Sequence, residues 1–387
     1  MKILIFTNSI SKNGQSVFLS RLLNHLSLNH TIILYEDNPV HSNEYLKQEF
    51  LDDSIKIISF SHYSISSRIA WKLNGLMRKL KINKIDFVKL LQNRNIHNEI
   101  KSNDPNLVFA VPITYLPKLS KIQRKLNFKL VFRMGGTKFL ESLNKTELND
   151  FNLNLRSVHS IAYTGTVHFQ RALNLLPNLK NLKVKKIDNG ISLNEINVIE
   201  CPIKKSDNTF IFGMISRGIK EKGWIEAINA FNKVSTEFNE KDLHLILIGG
   251  GPYMKEIKAL HESEKIHFLG ETKNPAGHSA YFDVALLPTY YGSESVPNVL
   301  IEYLAFNTPV IATDYVEIPN MLNSAQGLAG TLVDLINDKS NEEQLQEAMK
   351  KYIMDDKLIE EHRNNAKYAF EKFSVEKCSE NYLEIFS

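Results

Sequence analysis

The chain is 387 residues long, 43% hydrophobic and 23% charged, which excludes a disordered chain and exceeds what one hydrophobic core usually serves. Two cysteines, Cys201 and Cys378, make no disulfide framework and show no metal-ligand spacing. The formal net charge of +4 hides an asymmetry: residues 1–200 hold 28 Lys+Arg against 15 Asp+Glu, and residues 201–387 hold 19 against 28. One half therefore carries +13 and the other −9, so the first half is expected to face something anionic.

In chain order, Lys2–Thr7 is an apolar run that ends in a polar loop. It reads as a buried strand and not as a signal peptide, so a cytosolic chain is expected. Val17–Leu28 has helical spacing at Phe18, Leu22 and Leu26, and Thr31–Tyr35, Ile55–Phe60 and Leu107–Val111 read as strands. Leu130–Phe132, Ile161–Tyr163 and Val184–Ile187 continue the series. Strands alternating with helical patterns predict a parallel sheet with helices on both faces. No run reaches the roughly 18 to 20 apolar residues of a membrane span, so any membrane contact is expected to be peripheral.

Ser67–Arg94 is the most basic stretch, with Arg68, Lys72, Arg78, Lys79, Lys81, Lys84, Lys89 and Arg94 against Asp86 alone. Ile69, Leu73, Leu76, Met77 and Leu80 share one helical face, and Trp71 adds an interfacial aromatic. Two readings stand. The stretch is either a basic amphipathic helix that docks on an anionic membrane surface, or a core-packing helix with a solvated basic face. Nucleic acid is not expected as a partner, because no reading motif accompanies the charge.

A polar, proline-containing stretch from Cys201 to Ser206 reads as a linker. After it come the strands Phe210–Ile215, Leu243–Ile248, His267–Leu269, Val284–Leu287 and Val310–Ala312, with a helix over Trp224–Phe238. Asn341–Phe386 is charged and helical. The expected architecture is α/β, two doubly wound lobes of about 190 residues each.

Within Glu294-Ser295-Val296-Pro297-Asn298-Val299-Leu300-Ile301-Glu302, Pro297 suits the first turn of a helix, which leaves Glu294 in the preceding loop. Both glutamates then flank a helix N-terminus, whose free N–H groups attract an anion. A diphosphate there, with a sugar on one side and a ribose on the other, gives each carboxylate a hydroxyl to bind. Arg217 and Lys222-Gly223 follow a strand end, where ligands of open α/β sheets bind. Taken singly, each of these is an ordinary surface charge. His159, His168 and His278 are the remaining polar candidates, and surface or satisfied loop histidines are expected of all three.

In order, Arg217, Lys222-Gly223, Gly249–Pro252, Phe268-Leu269-Gly270, Leu287-Pro288, the E-x7-E element and Pro309–Asp314 resemble the retaining GT-B glycosyltransferases of the family-four class. The resemblance spans the chain and is specific mainly in residues 210–320. It implies two Rossmann-like lobes with a donor cleft between them: residues 1–200, joined by a returning C-terminal helix at about 372–387, and residues 201–371. It implies that Arg217 and Lys222 bind the donor diphosphate, that Glu302 holds the ribose, and that Glu294 holds the transferred sugar. Ser295, Val296 and Asn298 would line the sugar, Leu269 and Gly270 the base, and Gly14 would approach the phosphate from the first lobe. No metal and no cofactor is implied, because two cations and a helix N-terminus can carry the leaving charge. The expected donor is a UDP-sugar in preference to a GDP-sugar, and the acceptor a glycan or lipid-linked glycan in envelope polysaccharide or lipopolysaccharide assembly at the inner membrane face.

Two departures stand out. Where the family often has His-Gly, this chain reads Phe132-Arg133-Met134-Gly135-Gly136, so Arg133 either replaces the histidine near the sugar or reaches an anionic acceptor. Ser295 and Val296 alter the family's Glu-Gly-Phe-Pro loop, so the sugar does not carry over. A sugar-nucleotide epimerase of the same architecture and a non-catalytic partner subunit are the rival readings.

Overall fold

The computed structural model describes residues 1–11, 13–38, 51–60, 64–79, 86–292 and 294–387. It divides into two compact units, Met1–Gly190 with Val375–Ser387, and Ile191–Ser374.

The first unit is built on a parallel sheet of β1 (Lys2–Thr7), β2 (Thr31–Glu36), β3 (Lys56–Ser59), β4 (Leu107–Ala110), β5 (Lys129–Met134), β6 (Ser160–Tyr163) and β7 (Lys183–Lys186). The order is β3-β2-β1-β4-β5-β6-β7. Central β1 pairs Ile3 with Ile32 on one side and with Leu107 on the other. Its residues alternate between two cores, Leu4 and Phe6 facing one and Ile3 and Ile5 the other. Burial on both faces is why this strand reads as an unbroken apolar run. The helix Val375–Phe386 belongs to this unit, where Tyr382 and Phe386 pack on Phe109 with ring centroids 5.2 and 5.4 Å away.

The second unit contains β8 (Thr209–Ile215), β9 (Asp242–Ile248), β10 (Ile266–Gly270), β11 (Val284–Leu287) and β12 (Val310–Thr313). A small hairpin of β13 (Asn323–Ser324) and β14 (Gly327–Leu328) precedes the last strand of the sheet, β15 (Gly330–Val333). The sheet order is β10-β9-β8-β11-β12-β15, all parallel. From β8 the chain builds outward to one edge, then returns to lay β11 on β8's other side. That reversal is the topological switch point, and the crevice outside the carboxyl ends of β8 and β11 is where such sheets bind ligands.

Two sequence expectations differ from what is observed. The division falls at Gly190/Ile191, ten residues before the boundary read at 200/201, and the returning segment starts at Val375. Residues 191–203 set isoleucines between polar residues, and Ile191, Ile196, Ile199, Cys201 and Ile203 pack into a core of the second unit. The basic stretch is two helices, Ile65–Lys79 and Phe87–Asn103, and not one. Asp86 caps the second, its side chain accepting from the Lys89 N–H, and Asn74 fixes the corner by donating to Asp86 and accepting from the Phe87 N–H. Leu80, Lys81 and Lys84 lie outside the described residues. The first helix leaves Ile69, Trp71, Leu73 and Leu76 exposed, so its apolar face does not pack into a core.

Candidate donor site

At the switch point of the second unit, the loop after β8 is pressed against the exit of β11. Gly223 has φ +81°, and a Cβ there would lie 2.1 Å from the Pro288 carbonyl oxygen, so only glycine lets the two loops meet this closely. Trp224 is fully buried and its indole N–H donates to the Arg217 carbonyl at 3.0 Å, which fixes the start of the same loop. The Tyr290 N–H donates to the Glu221 carbonyl at 2.9 Å, stitching the two loops together.

This stitching brings Lys222 to Glu294. Their Nζ and Oε2 form an ion pair, with both residues more than nine-tenths buried. Buried Thr289 supports the acid, its hydroxyl lying 3.3 Å from the same carboxylate oxygen. Thr289 is itself held from β12, where the Thr313 hydroxyl donates to its carbonyl at 2.6 Å. Tyr291 completes the cluster. Its ring centroid lies 5.3 Å from the Arg217 guanidinium carbon and 5.1 Å from Lys222 Nζ, within cation–π range of both.

Arg217 is exposed and Lys222 is not, so the cluster offers one solvent-facing cation and one buried against a carboxylate. Two cations and one acid leave a net +1. A diphosphate would find opposite charge here, and Glu294 would place a hydroxyl acceptor beside it. Glu294 lies in the loop before the helix Asn298–Ala305, with Ser295 and Val296 half-buried between them. Glu302 is buried in the fifth position of that helix. The neighbouring Tyr303 hydroxyl accepts the Ile215 N–H at 2.8 Å, which ties the helix to the end of β8.

Leu269 and Gly270 end β10 on the same carboxyl edge, Leu269 exposed and Gly270 at φ +75°. The Gly249 N–H donates to the Gly270 carbonyl at 2.9 Å, so the glycine run after β9 lies against that edge. The second unit thus brings Arg217, Lys222 and Glu294 into one cluster, and sets Ser295, Val296, Asn298, Glu302, Leu269 and Gly270 along the same sheet edge. Thr289, Tyr291 and Thr313 are the participants that sequence reasoning missed. The adjacent Tyr290-Tyr291 between a strand end and Glu294 was the available signal.

In the first unit, Gly14 opens the helix Gly14–Ser27 just after β1, and the Asn13 side chain caps it by accepting from the Ser16 N–H at 2.9 Å. Arg133 sits in β5 and is buried. Its guanidinium carbon lies 3.5 Å from the Phe18 ring centroid, and Nη2 donates to Asn189 Oδ1. The side chain lies near Tyr382 and Cys378 of the C-terminal helix, and its Nε is buried with no hydrogen-bond partner among the described residues. Burial pushes the Cys378 thiol up to about 12, so it stays protonated at neutral pH.

His278 is a satisfied core histidine. Its ring nitrogens lie 2.7 Å from the Tyr281 hydroxyl and 3.4 Å from the Thr272 hydroxyl, and burial lowers its pKa. His159 and His168 belong to the first unit, and burial, with Lys129 and Lys183, lowers the pKa of His159. Among the described residues, no group of three His, Cys, Asp or Glu is placed to hold a metal.

Residues 199–370 match the family described as glycosyl transferases group 1. The chain is 26% identical over 298 residues to the uncharacterized glycosyltransferase MJ1059 of Methanocaldococcus jannaschii, covering 73% of this chain and 69% of that one. It is 30% identical over 180 residues to the N-acetylgalactosamine-N,N'-diacetylbacillosaminyl-diphospho-undecaprenol 4-alpha-N-acetylgalactosaminyltransferase of Campylobacter jejuni subsp. jejuni, covering 44% of this chain and 46% of that one. Among solved structures it resembles Anabaena Alr3699/HepE in complex with UDP-glucose, with a TM-score of 0.68, 17% identity, and 99% and 98% of the two chains covered.

Proposed function

For a chain that has the GT-B fold and whose residues 199–370 belong to the glycosyl transferases group 1 family, we propose transfer of a hexose-type sugar from a nucleotide-diphosphate donor to a glycan or lipid-linked acceptor, with retention of configuration. The observation that carries this reading is the Lys222–Glu294 pair, with Arg217 and Tyr291, at the switch point of the second sheet.

In the proposed reaction an acceptor hydroxyl oxygen bonds to the anomeric carbon as the bond from that carbon to the donor phosphate breaks. The electron pair stays on the phosphate, which takes the acceptor's proton. Arg217 and Lys222 stabilise the charge that grows on the diphosphate, so the reaction requires no metal. Glu294 orients the sugar through its hydroxyls, Glu302 binds the ribose, and Leu269 and Gly270 border the base.

The Anabaena neighbour holds UDP-glucose, which favours a UDP-sugar. The Campylobacter relative is named for a diphospho-undecaprenol-linked acceptor, which supports a place in envelope glycan assembly, lipopolysaccharide included. No helix among the described residues is long and apolar enough to cross a membrane. Contact with the inner face of the cell membrane would run through the helix Ile65–Lys79. Beside its exposed Ile69, Trp71, Leu73 and Leu76 it carries exposed Arg68, Lys72 and Lys79, each worth about 1 kcal/mol near anionic lipid.

Calorimetry with UDP-glucose, UDP-galactose, UDP-N-acetylglucosamine, UDP-N-acetylgalactosamine and GDP-mannose, followed by assays of nucleotide release, tests the donor assignment. Binding is expected for a UDP-sugar and is expected to be lost in Arg217→Ala and Glu302→Ala. Binding that survives both changes removes the site, and no binding at all points to a partner subunit. Isomerised donor without transfer would make the protein an epimerase. Flotation should show anionic vesicles bound in preference to neutral ones, less so at high salt and less so for Trp71→Ala; equal binding to both refutes the docking helix.

A further inference from the structure

Beside the donor cluster lies a buried carboxyl that none of these roles uses. Glu226 stands in the first turn of the helix Trp224–Glu237 and is 2% exposed. Its Oε1 accepts the Tyr290 hydroxyl at 3.2 Å, while its Oε2 is buried with no hydrogen-bond partner. The charged and titratable groups facing it are few. Lys339 favours the ionised form and Glu342 opposes it. Tyr253, in the first turn of the helix Pro252–His261, has its own hydroxyl pKa raised by burial and by Glu226. Burial dominates and holds the Glu226 carboxyl above the usual range. The backbone N–H of Glu226 and the Tyr290 hydroxyl favour the ionised form, but burial outweighs them and favours the neutral acid.

Tyr290 is gripped at two points. Its backbone N–H donates to the Glu221 carbonyl and its hydroxyl to Glu226, so its anchors lie on either side of Lys222-Gly223. The next residue is Tyr291, whose ring meets both Arg217 and Lys222. We propose that Glu226 is a positioning residue for the donor-phosphate cations: through Tyr290 it sets where Tyr291 holds Arg217 and Lys222. The proposal rests on the reading of that cluster as the donor site. Glu226 itself touches neither the donor nor the reacting atoms.

The test measures nucleotide release from whichever sugar nucleotide the calorimetric screen selects. Tyr290→Phe removes one hydroxyl and leaves Glu226 buried. It is expected to lower kcat by about tenfold with little change in donor KM, because the charge the cations meet develops in the transition state. Glu226→Ala should lose the same factor, and the double variant no more than either, since both act through one bond. Glu226→Gln keeps an acceptor for Tyr290 and should restore kcat.

A pH profile separates this from a purely structural role. Wild-type kcat should fall as pH rises through the raised carboxyl pKa, and the Gln variant should lack that limb. The sign for stability is the same: the folded state holds its proton to higher pH than the unfolded chain, so the wild type loses stability as pH rises through the raised carboxyl pKa and the Gln variant does not. Full kcat in folded Tyr290→Phe and Glu226→Ala, additive losses, or an unchanged alkaline limb in the Gln variant each overturn the proposal. If wild-type protein binds and turns over no donor, the donor reading fails first and the positioning role falls with it.

Discussion

Lys222 and Arg133 are both buried cations near the carboxyl ends of parallel strands, one in each unit, and the fold treats them differently. Lys222 faces a carboxylate and the ring of Tyr291, next to an exposed arginine. Arg133 lies flat on Phe18 and bonds the neutral amide of Asn189. An ammonium is a compact, strongly hydrated charge that tolerates burial only beside an anion, whereas a guanidinium is weakly hydrated and stacks on aromatics. The difference teaches that a cation at a ligand-binding edge is not by itself a ligand group. Its partners within the fold, a carboxylate for Lys222 and an aromatic ring and an amide for Arg133, differ with the chemistry of the cation.

The sharpest way to break this comparison is Lys222→Met. It removes the cation paired with buried Glu294 and one of the two cations of the cluster, so nucleotide release should fall by about 100-fold or more. Stability to urea should fall by about 3 kcal/mol. Were Arg133→Met to cost more turnover than Lys222→Met, the two cations would have been assigned to the wrong roles. Gly223→Ala follows in size. The added Cβ meets the Pro288 carbonyl at 2.1 Å in a left-handed backbone, so about 2 kcal/mol of stability should go, measured by the same denaturation. Arg133→Met should cost the least, about 1 kcal/mol for the lost stacking, read as a small shift of the urea midpoint.

Much of the fold was legible because its strands are buried on both faces, so β1, β4, β8, β9 and β12 stand out as apolar runs. The departures have identifiable causes. Asp86 looked like a lone acid in a basic helix, but an acid that can accept from the N–H three residues on is also a helix start. The stretch from Cys201 to Ser206 looked like a linker because it is polar and holds Pro202, and only the packing of Cys201 and Ile203 with Ile191, Ile196 and Ile199 shows that its start belongs to a core of the second unit. In the candidate site, Arg217, Lys222, Glu294 and Glu302 were singled out by their order along the chain. Tyr291, Thr289 and Glu226 were not, because a tyrosine, a threonine or a glutamate in a loop or first turn carries no pattern until its neighbours in space are known.

The sequence by itself determined the alternation of strands and helices, the paired doubly wound sheets and the short run of charged residues at strand ends, since each follows from local apolar periodicity and from what lies next in the chain. Tertiary structure alone decided that Lys222 and Glu294 share an ion pair, that Tyr291 sits against two cations, and that Arg133 lies over Phe18. Those contacts join residues distant in sequence through loops after different strands, and their geometry comes from strand order and from a glycine with room for no side chain. The +13 of residues 1–200 is likewise a fact of composition. That part of it lies on a helix with Ile69, Trp71 and Leu76 exposed is a fact of folding, because burial depends on what packs against a face and not on the face alone.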